Sequence, residues 1–169
     1  MELDSLSLTA HAIGPDEVGA VRAILLEAAA DLTIRYGPGH WSRVHGLPTL
    51  RRHQAERIVL LVLAGSRPAA TLTLGRKKPP FYHNSWFAEP KAAAVYLSDM
   101  AVLPALQRHG IGRWCIQQAE LLAREWGAHA IRLDAYQASA GAGGFYQKCG
   151  FTLVHAGTLD LEYYEKTLT

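Results

Sequence analysis

The chain has 169 residues, of which 49% are hydrophobic and 19% charged, and 17 Lys and Arg nearly balance 15 Asp and Glu. This composition excludes a disordered chain, a membrane span of ~20 apolar residues, a disulfide framework and a strongly basic nucleic-acid binder. The acidic start of the sequence is also unlike a secretory signal. We therefore expect a cytoplasmic α/β protein, one domain over residues 1–169, that acts on a small molecule.

The first half of the chain predicts one strand, two helices and a hairpin. Alternating apolar and polar residues indicate the first strand, and the Gly-Pro-Asp-Glu sequence after it is typical of a helix start. Two β-rich segments flank a Gly-Ser turn and predict the hairpin. The expected elements are strand 6–12, a helix from 14 to about 36, helix 49–55, and strands 58–63 and 70–74.

The second half begins with a loop at 75–93 that contains several aromatic residues, and long loops in compact domains tend to be functional. The clearest helix follows, because Ile111, Cys115, Ala119, Leu122 and Trp126 repeat at helical spacing. The expected elements are strand 94–102, helix 111–126, strand 130–136, helix 139–149, and strands 151–155 and 159–168. This element order predicts a mixed sheet with helices on both faces.

The most informative passage joins the strand at 94–102 to the long helix. Gly110 and Gly112 stand where the helix begins, and Arg108 and Arg113 lie beside them. A helix start offers N–H donors and the positive end of the helix dipole, and glycines let a phosphate group approach the backbone closely. A tight turn with small residues for packing is the alternative interpretation.

Two short motifs lie in this half of the chain. The first is Gln107–Gly112, six residues reading Gln-Arg-His-Gly-Ile-Gly after a strand that ends in Val102, and the second is Ala142–Phe151. They resemble two motifs of the GNAT superfamily of N-acetyltransferases, Gln/Arg-x-x-Gly-x-Gly/Ala and Ala-x-x-Phe/Leu-Tyr-x-Lys-x-Gly-Phe. The resemblance covers the chain from about Ala94 to its end, and the first half matches only in element order.

The resemblance implies the fold and a co-substrate. The fold would be a mixed, mostly antiparallel sheet of six to seven strands with a splayed central strand pair. Acetyl-CoA, or a related acyl-CoA, would place its pyrophosphate on the helix start and its pantetheine arm along the preceding strand, without a metal. The residues expected to contact acetyl-CoA are Met100, Ala101, Val102, Gln107, Arg108, His109, Gly110, Ile111, Gly112, Arg113 and Ser139.

Tyr146 matches the tyrosine that serves as the family's general acid toward the departing CoA sulfur. A free tyrosine has a pKa of ~10 and a thiol ~8.5, so full proton transfer is uphill by about 2 kcal/mol. We therefore expect Tyr146 to stabilise the forming thiolate as a hydrogen-bond donor. A tyrosine that only packs its helix on the sheet is the alternative.

The general base is less clear, because the family's usual glutamate positions hold Tyr96 and Ser98. Asp99 is the only carboxylate on that strand, and strict alternation directs it away from Tyr96 and Ser98 unless a bulge intervenes. An amine must lose a proton before it attacks. The base is therefore either Asp99 or a water chain past Tyr96 and Ser98.

The second motif also departs from the family pattern. Ser139 replaces an asparagine that often holds the pantetheine arm, although a serine can still hydrogen-bond or cap the helix. Gly141, Gly143 and Gly144 fall within the predicted helix, where each costs ~1 kcal/mol relative to alanine. Either this helix is short and loosely held, or the glycines admit the cofactor.

Histidines and cysteines suggest other chemistries that we consider weaker. His40, His45 and His53 lack the helical spacing and nearby carboxylates of a zinc site. Cys115 lies on the apolar stripe of its helix and Cys149 near a helix end, so neither is expected to act as a nucleophile. We therefore expect no metal and no acyl-enzyme.

The acceptor is inferred from the family's usual pocket, which is lined by the first helix, the loop after it and the middle-strand loop. An acid among aromatic rings suits a small amine, although half of these residues could simply pack the core. The residues expected to contact it are Asp31, Tyr36, Trp41, Tyr82, Trp86, Tyr96 and Ser98.

We conclude from the sequence that the chain transfers the acetyl group of acetyl-CoA to a small primary amine by direct attack in a ternary complex. The expected partner is that amine, not nucleic acid or a membrane, and a homodimer stays open. Two alternatives keep the same fold: a non-catalytic acyl-CoA-binding regulatory or interaction module, and an acetyltransferase for protein or peptide amines.

Overall fold

The computed structural model describes residues 7–169 and gives the element order that the sequence predicts. Leu6, the first residue of the expected strand, lies outside the described residues. The elements are β1 (Leu8–Ala12), α1 (Val18–Tyr36), α2 (Leu47–Glu56), β2 (Ile58–Ala64), β3 (Arg67–Gly75), β4 (Ala94–Val102), α3 (Ile111–Glu125), β5 (Ala130–Tyr136), α4 (Gly143–Lys148), β6 (Thr152–Ala156) and β7 (Leu161–Thr167).

The strands form one seven-stranded sheet in the order β1-β2-β3-β4-β5-β7-β6. Antiparallel ladders join β1 to β2, β5 to β7 and β6 to β7, whereas β4 and β5 run parallel. The parallel ladder is short, because it joins only Ala94–Tyr96 to Ala130–Arg132 along these longer strands. The mostly antiparallel sheet with a splayed parallel pair confirms the expected fold class.

Residue contacts divide the chain into two compact units. Unit 1 comprises the chain up to Thr73 together with Asp99–Cys115, and unit 2 comprises Leu74–Ser98 together with Ile116–Thr169. Strands β3 and β4 and helix α3 each contribute residues to both units. The expectation of a single folding domain stays a prediction.

Unit 1 is built on an apolar cluster between α1, α2 and β2. Helix α1 follows a single turn at Pro15–Glu17 and buries Val18, Val21 and Ile24. A hydrogen bond from the His11 ring, 2.7 Å from the carboxylate, lowers the pKa of Glu17 at this helix start. The cluster comprises Ile13, Val18, Val21, Ile24, Leu50, Val59 and Leu61.

Unit 2 contains a buried ion pair that the sequence analysis missed. Arg132 of β5 and Glu165 of β7 are register partners, and the Arg132 Nε atom donates to Glu165 at 2.8 Å. Only 1% of Arg132 is exposed. An arginine in the middle of a short strand resembles a solvent-facing residue in the sequence, so only the tertiary structure reveals this pair.

The remaining polar groups of the pair hold the loop between β3 and β4. Arg132 donates to the Glu89 carbonyl at 2.9 Å and to the Tyr96 hydroxyl at 3.3 Å, and its guanidinium lies 4.1 Å from the centre of the Phe87 ring. The second oxygen of Glu165 accepts the Ala88 N–H at 3.1 Å. A buried charge pair is tolerated only when such additional bonds satisfy it.

Two further features of the structure concern its helices and its thiols. No helix within residues 7–169 is long and apolar enough to span a membrane. Cys115 and Cys149 are both buried free thiols, and burial raises the pKa of Cys115 to about 12.

We predict that Glu165→Gln lowers the free energy of unfolding by about 3–5 kcal/mol, because it leaves the buried Arg132 charge without its counter-charge. The matched control is Asp31→Asn, which breaks the 2.7 Å pair with Arg35 on the surface of α1 and should cost less than about 1 kcal/mol. Urea unfolding at pH 7 measures both. Equal losses in the two variants would contradict a special role for the buried pair.

Candidate active site

The turn after β4 is held to the strand by a side chain. The Gln107 amide group donates to the Val102 carbonyl at 3.1 Å, and the His109 ring donates to the Gln107 carbonyl at 2.7 Å. Both Arg108 and Gly110 have left-handed backbones, with φ of 65° and 83°. The motif therefore forms a folded turn whose shape depends on backbone conformations that most residues avoid.

Helix α3 starts directly after this turn, with a first bond from the Trp114 N–H to the Gly110 carbonyl at 3.0 Å. The amides ahead of Trp114 belong to the first helical turn, which has no intrahelical acceptors. The Gln107 N–H donates to the Pro104 carbonyl at 3.3 Å, within the turn itself. The expected contacts of Gln107 and of the residues after it with acetyl-CoA stay predictions.

Tyr146 lies on α4 and is almost completely buried. Its ring is in edge contact with Phe145 and Phe151, with centroids 5.3 and 5.7 Å apart, and is 6.3 Å from the Tyr164 ring. Aromatic neighbours of this kind fix the direction of the ring. The tyrosine is therefore held in one orientation by its surroundings in unit 2.

Two of the three glycines before Tyr146, Gly141 and Gly143, are explained by packing. Helix α4 begins only at Gly143, so the predicted start at Ser139 is wrong. A Cβ atom at Gly141 would lie 1.9 Å from the Tyr136 carbonyl oxygen, and one at Gly143 would lie 2.2 Å from the Tyr164 hydroxyl. The chain crosses these groups too closely for a side chain.

Ser139 itself is exposed in a turn, and it does not cap α4. The N-cap position is Ala142, which has no side-chain hydrogen bond to the helix. The capping role considered for Ser139 is therefore corrected. Its contact with the pantetheine arm stays a prediction.

Asp99 interrupts the alternation of β4. Its backbone is left-handed, with φ of 47°, and the alternation of buried and half-buried residues from Val95 to Ser98 ends there. Its carboxylate lies 3.4 Å from the His53 ring and 3.9 Å from the His45 ring. The local irregularity that the sequence analysis allowed at Asp99 is present.

Two of the acceptor residues expected in unit 1, Asp31 and Tyr36, contact the same arginine. Asp31 pairs with Arg35, and the guanidinium of Arg35 lies 5.3 Å from the centre of the Tyr36 ring. Trp41 lies in the following turn, where its indole N–H donates to the Gly37 carbonyl at 2.8 Å. The acid at position 31 is therefore already partly neutralised.

The expected residues of unit 2 differ in accessibility. Tyr82 is only 2% exposed, and its hydroxyl donates to Asp134 at 2.6 Å, so it packs in the interior with its ring 5.8 Å from that of Tyr96. Trp86 is half-buried and stacks on His155, with centroids 4.0 Å apart. Ser98 is half-buried on β4. Their roles as substrate contacts stay predictions.

The model of one protein family matches most of the chain. The acetyltransferase (GNAT) family model matches residues 26–151. The chain belongs to the GNAT family of acetyltransferases. No curated relative matches its sequence.

Solved structures show the same fold at low identity. A GNAT acetyltransferase from Listeria monocytogenes is 19% identical with a TM-score of 0.76, and 99% of each chain is covered. The PaiA N-acetyltransferase from Thermoplasma acidophilum, solved with coenzyme A, is 16% identical with a TM-score of 0.70 over 96% of this chain and 100% of that one. The ribosomal-protein-S18-alanine N-acetyltransferase from Escherichia coli is 14% identical with a TM-score of 0.69, over 96% and 95%.

From the sequence of this GNAT chain, His45 and His53 were considered only as possible metal ligands, and their approach to Asp99 was missed. Within the described residues, no group of three metal-ligating side chains is arranged to hold an ion. A usable signal was present, since His53 follows Leu50 by three residues and therefore lies on the buried face of α2. A polar residue on a buried helix face points to a specific partner.

We predict opposite effects of two alanine substitutions, one just before the second GNAT motif and one within it. Gly141→Ala should lower the free energy of unfolding by about 1–3 kcal/mol, because the methyl group meets a backbone carbonyl that cannot move away. Gly144→Ala should raise it by up to about 1 kcal/mol, because a Cβ there meets nothing within 4 Å and the position is helical. Chemical denaturation measures both. A stabilising Gly141→Ala would contradict the packing explanation.

We also predict that Tyr82 makes the fold sensitive to alkali. Burial, and then the nearby Asp134 carboxylate, raise the pKa of Tyr82 well above 10. The stability that depends on its proton is therefore complete below pH ~10 and falls as pH rises further, by up to about 1.4 kcal/mol per pH unit. Tyr82→Phe should cost about 1.5–3 kcal/mol at pH 7 but decline less steeply from pH 10 to 11.5. Urea unfolding from pH 7 to 11.5 measures the stability of both proteins, and the control Tyr36→Phe, at an exposed tyrosine, should follow the wild type. A wild type and a Tyr82→Phe variant that lose stability in parallel above pH 10 would contradict the prediction.

Proposed function

We propose that this GNAT chain is an acetyl-CoA-dependent N-acetyltransferase whose acceptor is the primary amine of a small molecule. The observation that carries the proposal is the start of α3, where left-handed Gly110 opens a helix of 15 residues. Coenzyme A phosphates need N–H donors and the positive end of a helix dipole, and this helix start supplies both. Coenzyme A is bound in the Thermoplasma neighbour, which has the same fold.

The residues at this helix start fit a phosphate-bearing co-substrate. A Cβ atom at Gly110 would meet nothing within 4 Å, so the backbone there has open space beside it. The amides of Arg108–Arg113 would hold the diphosphate, and the backbone of Met100–Val102 would hold the pantetheine arm. When bound, acetyl-CoA supplies an acyl group activated as a thioester.

The proposed reaction uses direct attack by the amine, without an acyl-enzyme. Cys115 and Cys149 are buried, and the pKa of about 12 at Cys115 leaves its thiol protonated at neutral pH. Tyr146 donates a hydrogen bond to the leaving sulfur. Asp99 receives the proton that the amine loses, and a water chain past Tyr96 and Ser98 is the other route.

The aromatic rings near Trp86 support a small-amine acceptor better than Asp31 of α1 does. Asp31 shares its charge with Arg35, whereas Trp86 stacks on His155 and lies 4.5 Å from the Tyr163 ring. Stacked rings of this kind attract an ammonium group through cation–π interactions. We therefore favour a small amine that carries its charge close to an apolar body.

A protein N-terminus is the second candidate acceptor. Two neighbours with this fold are named as ribosomal-protein acetyltransferases, the Escherichia coli S18-alanine enzyme and an L7/L12 α-N-protein enzyme. Peptide amines therefore belong beside small amines in any screen of acceptors.

We predict that coenzyme A stabilises the chain by about 2.7 kcal/mol at 100 times its dissociation constant. A thermal-shift titration measures this, and a thiol-release assay against small amines and N-terminal peptides then measures turnover. Binding without thiol release on any amine would favour the non-catalytic acyl-CoA module. Absence of any thermal shift would contradict the proposed co-substrate.

We predict that Tyr146→Phe lowers kcat by about 100-fold, because the leaving sulfur loses its hydrogen-bond donor. The thermal shift with coenzyme A should stay unchanged. The matched control is Tyr164→Phe, which removes a neighbouring hydroxyl that bonds to Glu162 and should preserve turnover. An undiminished kcat in Tyr146→Phe would remove this tyrosine from the reaction.

A further inference from the structure

Three titratable side chains converge in unit 1 outside both GNAT motifs. Asp99 of β4 lies between two histidines, with 3.4 Å from its Oδ2 atom to His53 Nδ1 and 3.9 Å from its Oδ1 atom to His45 Nε2. The two imidazole rings meet edge to face, with centroids 5.2 Å apart. His53 comes from α2, and His45 from the segment just before that helix.

The three side chains run from the interior toward solvent. His53 has only 8% of its side chain exposed, Asp99 has 23% and His45 has 52%. Among the described residues, His53 Nδ1 is the buried side-chain atom without a hydrogen-bond partner. The Asp99 carboxylate oxygen, 3.4 Å away, is just beyond the usual hydrogen-bond range of 2.7–3.2 Å. A buried polar atom in this state needs an explanation, and a reactive role is one of the recognised explanations.

The backbone at Asp99 supports a special role for this residue. Its φ of 47° is in the left-handed region, which costs a non-glycine residue free energy and recurs at functional sites. This conformation occurs within a strand, where an extended backbone would satisfy the ladder at no such cost. The carboxylate is held against the two histidines despite that cost.

The chemistry of the proposed reaction calls for a better proton acceptor than a carboxylate alone. A free carboxyl group of aspartate has a pKa of ~3.9 and free imidazole ~6.5, whereas a lysine-like amine has ~10.4. Imidazole therefore holds a proton from the amine about 400-fold more favourably than a carboxylate does. Aspartate alone is a weak acceptor near neutral pH, and a histidine behind it removes that weakness.

We propose that Asp99 and His53 accept the amine proton as a pair, with Asp99 contacting the ammonium group and His53 acting behind it as a positioning residue. This inference rests on the proposed acetyl transfer. The N–H bond of the ammonium breaks and leaves its electron pair on nitrogen, and the proton forms an O–H bond with the Asp99 carboxylate. That O–H bond then breaks as the proton forms an N–H bond at His53 Nδ1, which is unprotonated beforehand because the neutral ring carries its hydrogen on Nε2. The pair changes from a net charge of −1 to zero. The proton leaves again over Asp99 to exposed His45, whose Nε2 atom lies 3.9 Å from Asp99 Oδ1, and passes from there to solvent.

Several ionisable groups surround the pair. Asp99 of β4 pairs with His53 and with His45 of the segment before α2, and the Arg22 side chain of α1 donates to the His45 carbonyl at 3.1 Å. On α2 itself, Arg51, Arg52 and Glu56 are exposed. A pH dependence that changes on substitution of His53 therefore reports on the Asp99 and histidine cluster.

The test compares pH profiles of kcat/KM for the wild type, His53→Gln and Asp99→Asn. We expect both substitutions to lower kcat/KM by about 10–100-fold and to change the acid limb of the profile, while the thermal shift with coenzyme A is retained. His129→Gln, which removes an exposed histidine of unit 2, is the matched control and should leave the profile unchanged. His45→Gln should lower kcat/KM less than these two substitutions do, because His45 only returns the proton to solvent.

A second measurement does not depend on activity. The ¹⁵N spectrum of the histidine rings reports which ring nitrogen carries the proton, and the His53 signals should change in Asp99→Asn but not in His129→Gln. This comparison keeps the proposal testable if His53→Gln fails to fold. Unchanged His53 signals in Asp99→Asn would overturn the pairing.

The remaining outcomes separate this inference from the proposed function. A wild type that binds coenzyme A but acetylates no amine would overturn the proposed function and the inference together. An active wild type whose pH profile survives both substitutions would overturn the inference alone and leave the acetyl transfer standing. Loss of activity with a chelator and its recovery with Zn²⁺ would also overturn it, since the cluster would then be a metal site.

Discussion

Opposite charges face each other across β5 and β7, and the interior of unit 2 is arranged to satisfy them. Arg132 and Glu165 are almost fully buried, so each of their polar atoms needs a partner inside the protein. Those partners are the backbone of residues 88 and 89 and the Tyr96 hydroxyl, and the Phe87 ring covers the guanidinium. The ion pair thereby ties the long aromatic loop to the sheet. It also holds the hydroxyl of Tyr96, a residue expected at the acceptor site, through a hydrogen bond from Arg132.

Unit 1 presents the opposite situation around His53. Here a buried ring nitrogen has a carboxylate nearby but no hydrogen bond, and that carboxylate is carried on a left-handed residue within a strand. Natural sequences tolerate such local conflicts mainly where function requires them. The Arg132–Glu165 pair has all its hydrogen bonds and is structural, whereas the Asp99–His53 pair lacks one. The proposed proton acceptor is therefore the Asp99–His53 pair.

The turn before α3 connects backbone conformation to ligand binding. Gly110 adopts a φ that other residues avoid, Arg108 shares the left-handed region, and the Gln107 side chain ties the turn to Val102. The turn is therefore fixed by the chain's own hydrogen bonds and backbone, and a fixed turn limits the ordering cost of binding. Such a helix start suits a highly charged anion even in a chain with a net charge of only +2, because amides and a helix dipole act locally.

The sequence by itself determined the element order, the bounds of β4 and β5, the start of α3 and the family, because periodicity, turn residues and short motifs are local properties. It was wrong about the start of α4, which lies at Gly143 rather than Ser139. It also left the glycines at 141 and 143 unexplained, because the Tyr136 carbonyl and the Tyr164 hydroxyl come to lie beside them only in the folded chain. Only the tertiary structure paired Arg132 with Glu165 and brought His53 to Asp99, in each case across more than thirty residues. Partners so far apart in the chain leave no periodic signal in the sequence. Their charges and ring nitrogens need partners only because the fold buries them, and burial is not a local property.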